Sequence, residues 1–327
     1  MRRLMLVAAA NQNVTTTTTD ASPVLISVYD FTITSLVLAL FFLSTVSLFF
    51  IFHLRFKSQN THHLQNFNTL WTLRLLLVSF VTLWTVNEAL HLPFFHRRFI
   101  YPFFPTLNLS QQVKMCKIHV LLSLGFFEPG FLITLLFLIL LSIKQRTQSD
   151  TRVITLIMFI CFPLLTLQTI SLFFTPFIPG IILRSFDHKT NLCSYPLLST
   201  IVFGAFGAVY TIVLLLSCQR LINLVINKGT RVRIRLLTAA VASSIPLQIL
   251  FLTLSSFWSP GTVEYGGVML GMFLCAAACA VAAQGILVIK PIVDALTSGD
   301  NNNNNNIYVD IPNLDLPEVL DDWSSPG

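Results

Sequence analysis

Four stretches of this chain carry no Asp, Glu, Lys or Arg over more than the ~20 residues that a helix needs to cross a hydrocarbon core. They run between Arg152 and Arg184, Lys189 and Arg220, Arg235 and Glu264, and Glu264 and Lys290. A soluble domain has to coat its core with charged and polar side chains, and gaps of this length leave nothing to face water. A fifth gap, from Asp30 to Arg55, has the same character. The segments 70–90 and 118–142 are equally apolar but contain Arg74, Glu88 and Glu128. Composition agrees: 54% of the residues are hydrophobic and 10% charged, against roughly 25% charged in an ordinary soluble domain.

The sequence therefore predicts an all-α polytopic membrane protein, a seven-transmembrane-helix bundle over residues 30–290. The spans are expected at 31–53, 70–90, 118–142, 153–175, 197–217, 236–257 and 266–289. Residues 1–29 read as an N-terminal extracytoplasmic segment. Met1-Arg2-Arg3 followed by the apolar residues 4–10 has the parts of a secretory leader, with the apolar run at its short limit of ~7 residues. From Asp294 onward lie half of the fourteen acidic residues and no Lys or Arg. Residues 291–327, with the asparagine run 301–306, read as an acidic, Asn-rich disordered cytoplasmic tail of the kind that can dock a partner.

Lys and Arg collect on the cytoplasmic side of membrane proteins. With the N-terminus outside and the C-terminus cytoplasmic, the inner segments hold the larger share, including Lys144, Arg146, Arg152 and the 220–235 loop. Two Asn-X-Ser/Thr acceptors, Asn13 and Asn108, then fall outside. So do Cys116 and Cys193, in a compartment that permits a disulfide; two free thiols are the alternative. The net charge of +6 needs no nucleic acid, because anionic lipid attracts the same side chains. Membrane lipid is the expected partner. A cytosolic signalling or trafficking protein is a further candidate, docking on Arg231, Arg233 and Arg235 or on the tail.

Glu128 is the most informative single residue, since an ionised carboxylate deep in a span is costly. Pro129 follows it and removes a helix donor, so the third span is expected to kink over residues 125–130. Glu128 has two open readings, a structural one with a freed carbonyl or Arg74 as partner, and a functional one as a cation or proton site. Glu88 reads as a group reaching the headgroup layer, with a ligand role as the alternative. Gln168 and Gln248 accompany Pro163 and Pro246 and could line a polar path or simply pack. Gly204, Gly207, Gly267 and Gly271 suit close helix packing within the bundle or between subunits.

Enzyme readings fail by missing parts: there is no phosphate-cradling glycine loop and no Gly-X-Ser-X-Gly turn. His91 and His96 are too far apart in a Pro- and Phe-rich loop to suggest a metal pair. No catalytic activity, cofactor or metal is expected.

The strings Trp84-Thr85-Val86-Asn87-Glu88-Ala89-Leu90-His91-Leu92-Pro93-Phe94, Leu124-Gly125-Phe126-Phe127-Glu128-Pro129-Gly130-Phe131, Cys193-Ser194-Tyr195-Pro196-Leu197-Leu198-Ser199-Thr200 and Leu224-Val225-Ile226-Asn227-Lys228 resemble a plant family of uncharacterised seven-span proteins. The similarity runs from the second span to Lys290. Members have been discussed as candidate G-protein-coupled-receptor-like proteins, so the resemblance implies a receptor-like topology without a ligand. The chain departs from such receptors where their signatures belong. The third span ends Ser142-Ile143-Lys144-Gln145-Arg146, no Cys-Trp pair precedes Pro246, and the seventh span lacks Asn-Pro-X-X-Tyr. The expected function is a receptor-like or signalling-scaffold role in the plasma membrane or an endomembrane. The alternative is an ion or solute transporter or channel using Glu128, Arg74 and the two glutamines.

Overall fold

The structure is a computed structural model that describes residues 2–58, 70–91, 109–144, 150–173, 186–187, 192–225, 228–258 and 262–293. For residues 2–24 it describes the backbone alone. One compact unit covers Met1–Ile292, and Val293–Gly327 forms a second. Residues 294–327 of the acidic tail and Asn108 lie outside the described residues, as does the side chain of Asn13, while residues 291–293, expected in the tail, are helical.

Among the described residues, eight α-helices follow one another: α1 Arg2–Ser58, α2 Trp71–His91, α3 Leu109–Leu122, α4 Glu128–Lys144, α5 Asp150–Phe173, α6 Leu197–Leu224, α7 Lys228–Ser255 and α8 Val263–Gln284. Two π-turns extend them, Ser123–Phe127 between α3 and α4 and Gly285–Ile289 after α8. A two-residue antiparallel ladder, β1 Phe186–Asp187 with β2 Leu192–Cys193, precedes α6. Among the described residues, seven helical stretches are long and apolar enough to cross a membrane: 25–56, 71–90, 111–141, 151–173, 197–224, 228–255 and 263–293.

That count matches the sequence reading, and most ends are longer than expected. The first helix is continuous from Arg2 to Ser58 and so begins well before the expected start of the first span at residue 31. Lys114 and Lys117, which precede the expected start of the third span at residue 118, belong to α3. The basic 220–235 loop is almost entirely helix: α6 runs to Leu224 and α7 starts at Lys228. Arg231 Nη2 donates to the carbonyl of Val225 at 2.7 Å, tying the first turn of α7 to the C-terminal end of α6.

Helices this apolar can hold serine and threonine only if each hydroxyl finds a local acceptor. Thr134 donates to Gly130 O at 2.6 Å, Thr211 to Gly207 O at 2.7 Å and Ser47 to Leu43 O at 2.8 Å. Such back-bonds leave the helix intact and its surface apolar. Phe31, Phe42, Phe49, Phe159 and Phe162 point outward and are each more than 60% exposed, a surface suited to lipid rather than water.

The helices close in a ring, α1 against α2 and α8, α8 against α7, α7 against α6, α6 against α5, with α2 packed on α4. The third span, made of α3, the π-turn and α4, is the most buried. At 31 residues it is roughly 46 Å long at 1.5 Å per residue, enough to run obliquely through a core ~30 Å thick. Glycines set the close approaches inside this unit. A Cβ on Gly130 would stand 2.5 Å from the ring of Phe80, one on Gly207 2.7 Å from Ile249, and one on Gly271 2.9 Å from Phe251. Packing within the chain therefore explains Gly207 and Gly271 without a second subunit.

Candidate functional site

Both π-turns precede a proline by one residue. Glu128 N–H reaches back to Ser123 O and Lys290 N–H to Gly285 O, each an i to i−5 bond. Proline lacks an N–H and its ring collides with the carbonyl four residues back, so a widened turn before Pro129 and Pro291 relieves both problems. The kink expected at 125–130 is thus a π-turn centred slightly earlier. It rotates Ser123 and Glu128 toward common neighbours near the middle of the third span.

Those neighbours form one buried polar centre. Ser123 Oγ lies 2.7 Å from Glu88 Oε1 and 3.4 Å from Glu128 Oε1, and the indole N–H of Trp84 donates to the same oxygen at 3.1 Å. The nearest oxygens of the two carboxyl groups are therefore within about 6 Å of one another. Gln248 Nε2, from α7, donates to Glu128 Oε2 at 2.7 Å. On the other side His119 Nε2 approaches Glu88 Oε2 at 3.5 Å, and Asn87 Nδ2 donates to the His119 carbonyl. The centre joins α2, the third span and α7, and a ring contact between Trp84 and Phe273 adds α8.

Two carboxyl groups this close, away from water, cannot both be charged without a compensating proton or cation. One serine hydroxyl has one hydrogen to donate, and the shorter of its two contacts goes to Glu88. Glu128 is served instead by the Gln248 amide. Beside it lies a cavity of about 40 Å³, lined by Phe80, Trp84, Phe127, Phe131, Glu128 and Gln248 among others. Glu128 keeps part of its surface uncovered although it stands mid-span.

One end of the bundle is tied over this centre. Cys116 of α3 and Cys193 of β2 form a disulfide, with Cα atoms 5.7 Å apart, inside the usual range. The carbonyl of Cys193 accepts from the Tyr265 hydroxyl, and that of Tyr195 from Ser256. This places the Tyr195 ring against His119. Burial, with Glu88 and Glu128 nearby, pushes the Tyr195 phenol well above the usual tyrosine range, so it remains a donor.

The structure brings together three of the five intramembrane polar residues singled out from sequence, Glu128, Glu88 and Gln248. Glu88 does not reach outward; it is 3% exposed and turned into the bundle. Gln168 is fully buried but serves elsewhere, its amide donating to Ser199 O at 2.9 Å. Arg74 stands ten residues before Trp84 on α2, roughly 15 Å away along the helix, and is not a partner of Glu128. Ser123, His119, Trp84 and Tyr195 were not anticipated. Ser123 is five residues before Glu128, a spacing that faces the wrong way in an α-helix and becomes adjacent only through the π-turn.

Residues 13–305 match the family described as Uncharacterised conserved protein UCP031277. The chain belongs to that family. The match includes the first span and ends in the asparagine run, so membership in UCP031277 extends beyond the stretch from the second span to Lys290. No curated protein and no solved structure matches the chain.

Proposed function

We propose that this member of UCP031277 is a receptor-like plant membrane protein, without catalytic activity, with its N-terminus outside and its C-terminus in the cytosol. It resides in the plasma membrane or an endomembrane. The observation that carries this reading is the bond between Gln248 and Glu128 at 2.7 Å, which joins the middle of the third span to the C-terminal third of α7. A charge change at Glu128, by proton or ligand, alters its attraction for the Gln248 amide and so the packing of α7. Because α7 is one helix from Lys228 to Ser255, displacement at Gln248 moves its Lys228 end. The Arg231 to Val225 bond passes that movement to α6. Arg231, Arg233 and Arg235, or else the acidic tail, dock a cytosolic signalling or trafficking protein. The test is the rate of thiol labelling at Lys228→Cys in vesicles, with and without Glu128→Gln. A changed rate supports the coupling, and an identical rate refutes it.

A second reading, transport of protons or small cations, is favoured by the chain of contacts His119, Glu88, Ser123 and Glu128. Flux into reconstituted vesicles that disappears in Glu128→Gln would establish it; a folded protein that carries no flux of protons or monovalent cations would remove it.

A further inference from the structure

We propose that the cavity beside Glu128 binds a small monovalent cation, held by that carboxylate and by the aromatic side chains of Phe80, Trp84, Phe127 and Phe131. This inference names a ligand for the receptor-like reading and rests on it. Three independent features point to such an ion. First, the donor that serves Glu128 among the described residues is neutral, the Gln248 amide at 2.7 Å; Ser123 Oγ stands 3.4 Å away with its hydrogen directed to Glu88, and the Trp84 indole donates to Ser123. The amide orients the carboxylate without cancelling its charge. His119, the basic group of the centre, stands against Glu88 instead.

Second, four aromatic residues share the cavity with that one carboxylate. Aromatic rings present negative faces, and a cation near them is stabilised most where water is excluded. No Lys, Arg or His lines the cavity to compete. Third, there is room. A volume of about 40 Å³ holds about three water molecules at roughly 10–15 Å³ each. Ammonium, methylammonium or sodium with one or two waters fits; a bulky organic cation does not. A multi-carboxylate divalent site is disfavoured, since no group of three His, Cys, Asp or Glu among the described residues can hold a metal.

The ion also resolves the electrostatic conflict of the centre. A cation beside Glu128 offsets the mutual repulsion of the two carboxyl groups while Ser123 donates to Glu88. The competing resolution is a simple proton on Glu128, which fills no space and needs no cavity.

The experiment uses the full-length protein in lipid nanodiscs, with thermal unfolding followed at constant ionic strength. Sodium, ammonium and methylammonium each replace N-methyl-D-glucammonium, which is too large for the cavity. The expected result is a saturable rise of about 2–4 °C with at least one small cation. The rank of sodium against the ammonium ions tells which source supplies the charge. The rise should vanish in Glu128→Gln, whose amide can still accept from Gln248. Should that variant fail to fold, Ala280→Val, which keeps the carboxylate and narrows the cavity, should reduce the effect for methylammonium more than for sodium. Equal midpoints in all cations, or the same rise in Glu128→Gln, overturn the proposal. Labelling at Lys228→Cys that responds to Glu128→Gln but not to cations would sink the cation and leave the receptor-like coupling standing. A saturable cation effect with unchanged labelling would do the reverse.

Discussion

At the scale of single residues, Ser123 connects more of the centre than any carboxylate does. Its oxygen accepts from Trp84 and its hydrogen serves Glu88, with Glu128 within 3.4 Å. Ser123→Ala should therefore strand the indole N–H and weaken both carboxyl contacts, a loss of about 1–3 kcal/mol in unfolding free energy. Thr45→Ala, which removes an exposed back-bond on α1, should cost well under half of that, and thermal unfolding of the two variants in the same lipid compares them. A Ser123→Ala, Glu88→Gln double-mutant cycle should show a coupling of about 0.5–3 kcal/mol; additive effects would mean that the 2.7 Å contact carries little energy. The carboxylates were legible in the sequence because a charged residue in an apolar run is conspicuous. Ser123 was not, because serine is ordinary in a membrane helix and nothing in its spelling marks a bond across 35 residues to Glu88.

At the scale of elements, the seven apolar stretches were readable because lipid enforces a minimum length and excludes charge. The ends were less so. Lys114, Lys117 and the arginines of α7 lie on helix that continues past the apolar zone, where charge no longer argues against helix. The π-turn was half legible: Pro129 announces a distortion, but not the i to i−5 bond from Glu128 to Ser123 that carries it. Phe80 and Gly130 meet just beyond it. That contact is decisive for α2 against α4. Gly130→Ala puts a methyl where the Phe80 ring now stands, 2.5 Å from its nearest carbon, and should destabilise by about 1–3 kcal/mol through overpacking. Phe80→Leu added to Gly130→Ala should restore most of the loss, measured as unfolding midpoint. Gly285→Ala is the matched control, because nothing lies within 4 Å of the position its Cβ would take.

At the scale of the whole molecule, the disulfide ties β2, and with it Tyr195 beside His119, to α3. Cys116 and Cys193 were recognisable as candidates because both fell in loops on one side, but pairing is a question of approach, which the fold answers by bringing β2 against α3. The bridge joins residues 77 apart, so by loop-closure entropy it should contribute about 2–5 kcal/mol to stability. It also holds Tyr195 beside His119 and two residues from the start of α6. Cys116→Ser with Cys193→Ser should thus do two things. It should lower the unfolding midpoint, and it should raise hydrogen exchange at the start of α6 and the end of α7, where Ser256 holds the Tyr195 carbonyl, while leaving the Lys228 end of α7 unchanged. Exchange that rises uniformly along α6 and α7 would mean the disulfide supports the bundle as a whole and does not act as a local tie. The same bridge offers a test of orientation: disulfides form where oxidants reach, so a membrane-impermeant reductant should cleave it in intact cells if that end of the bundle faces outside. Resistance to that reductant, with cleavage only after permeabilisation, would place the protein in an internal membrane or reverse it, and either result would relocate the proposed docking surface of Arg231, Arg233 and Arg235.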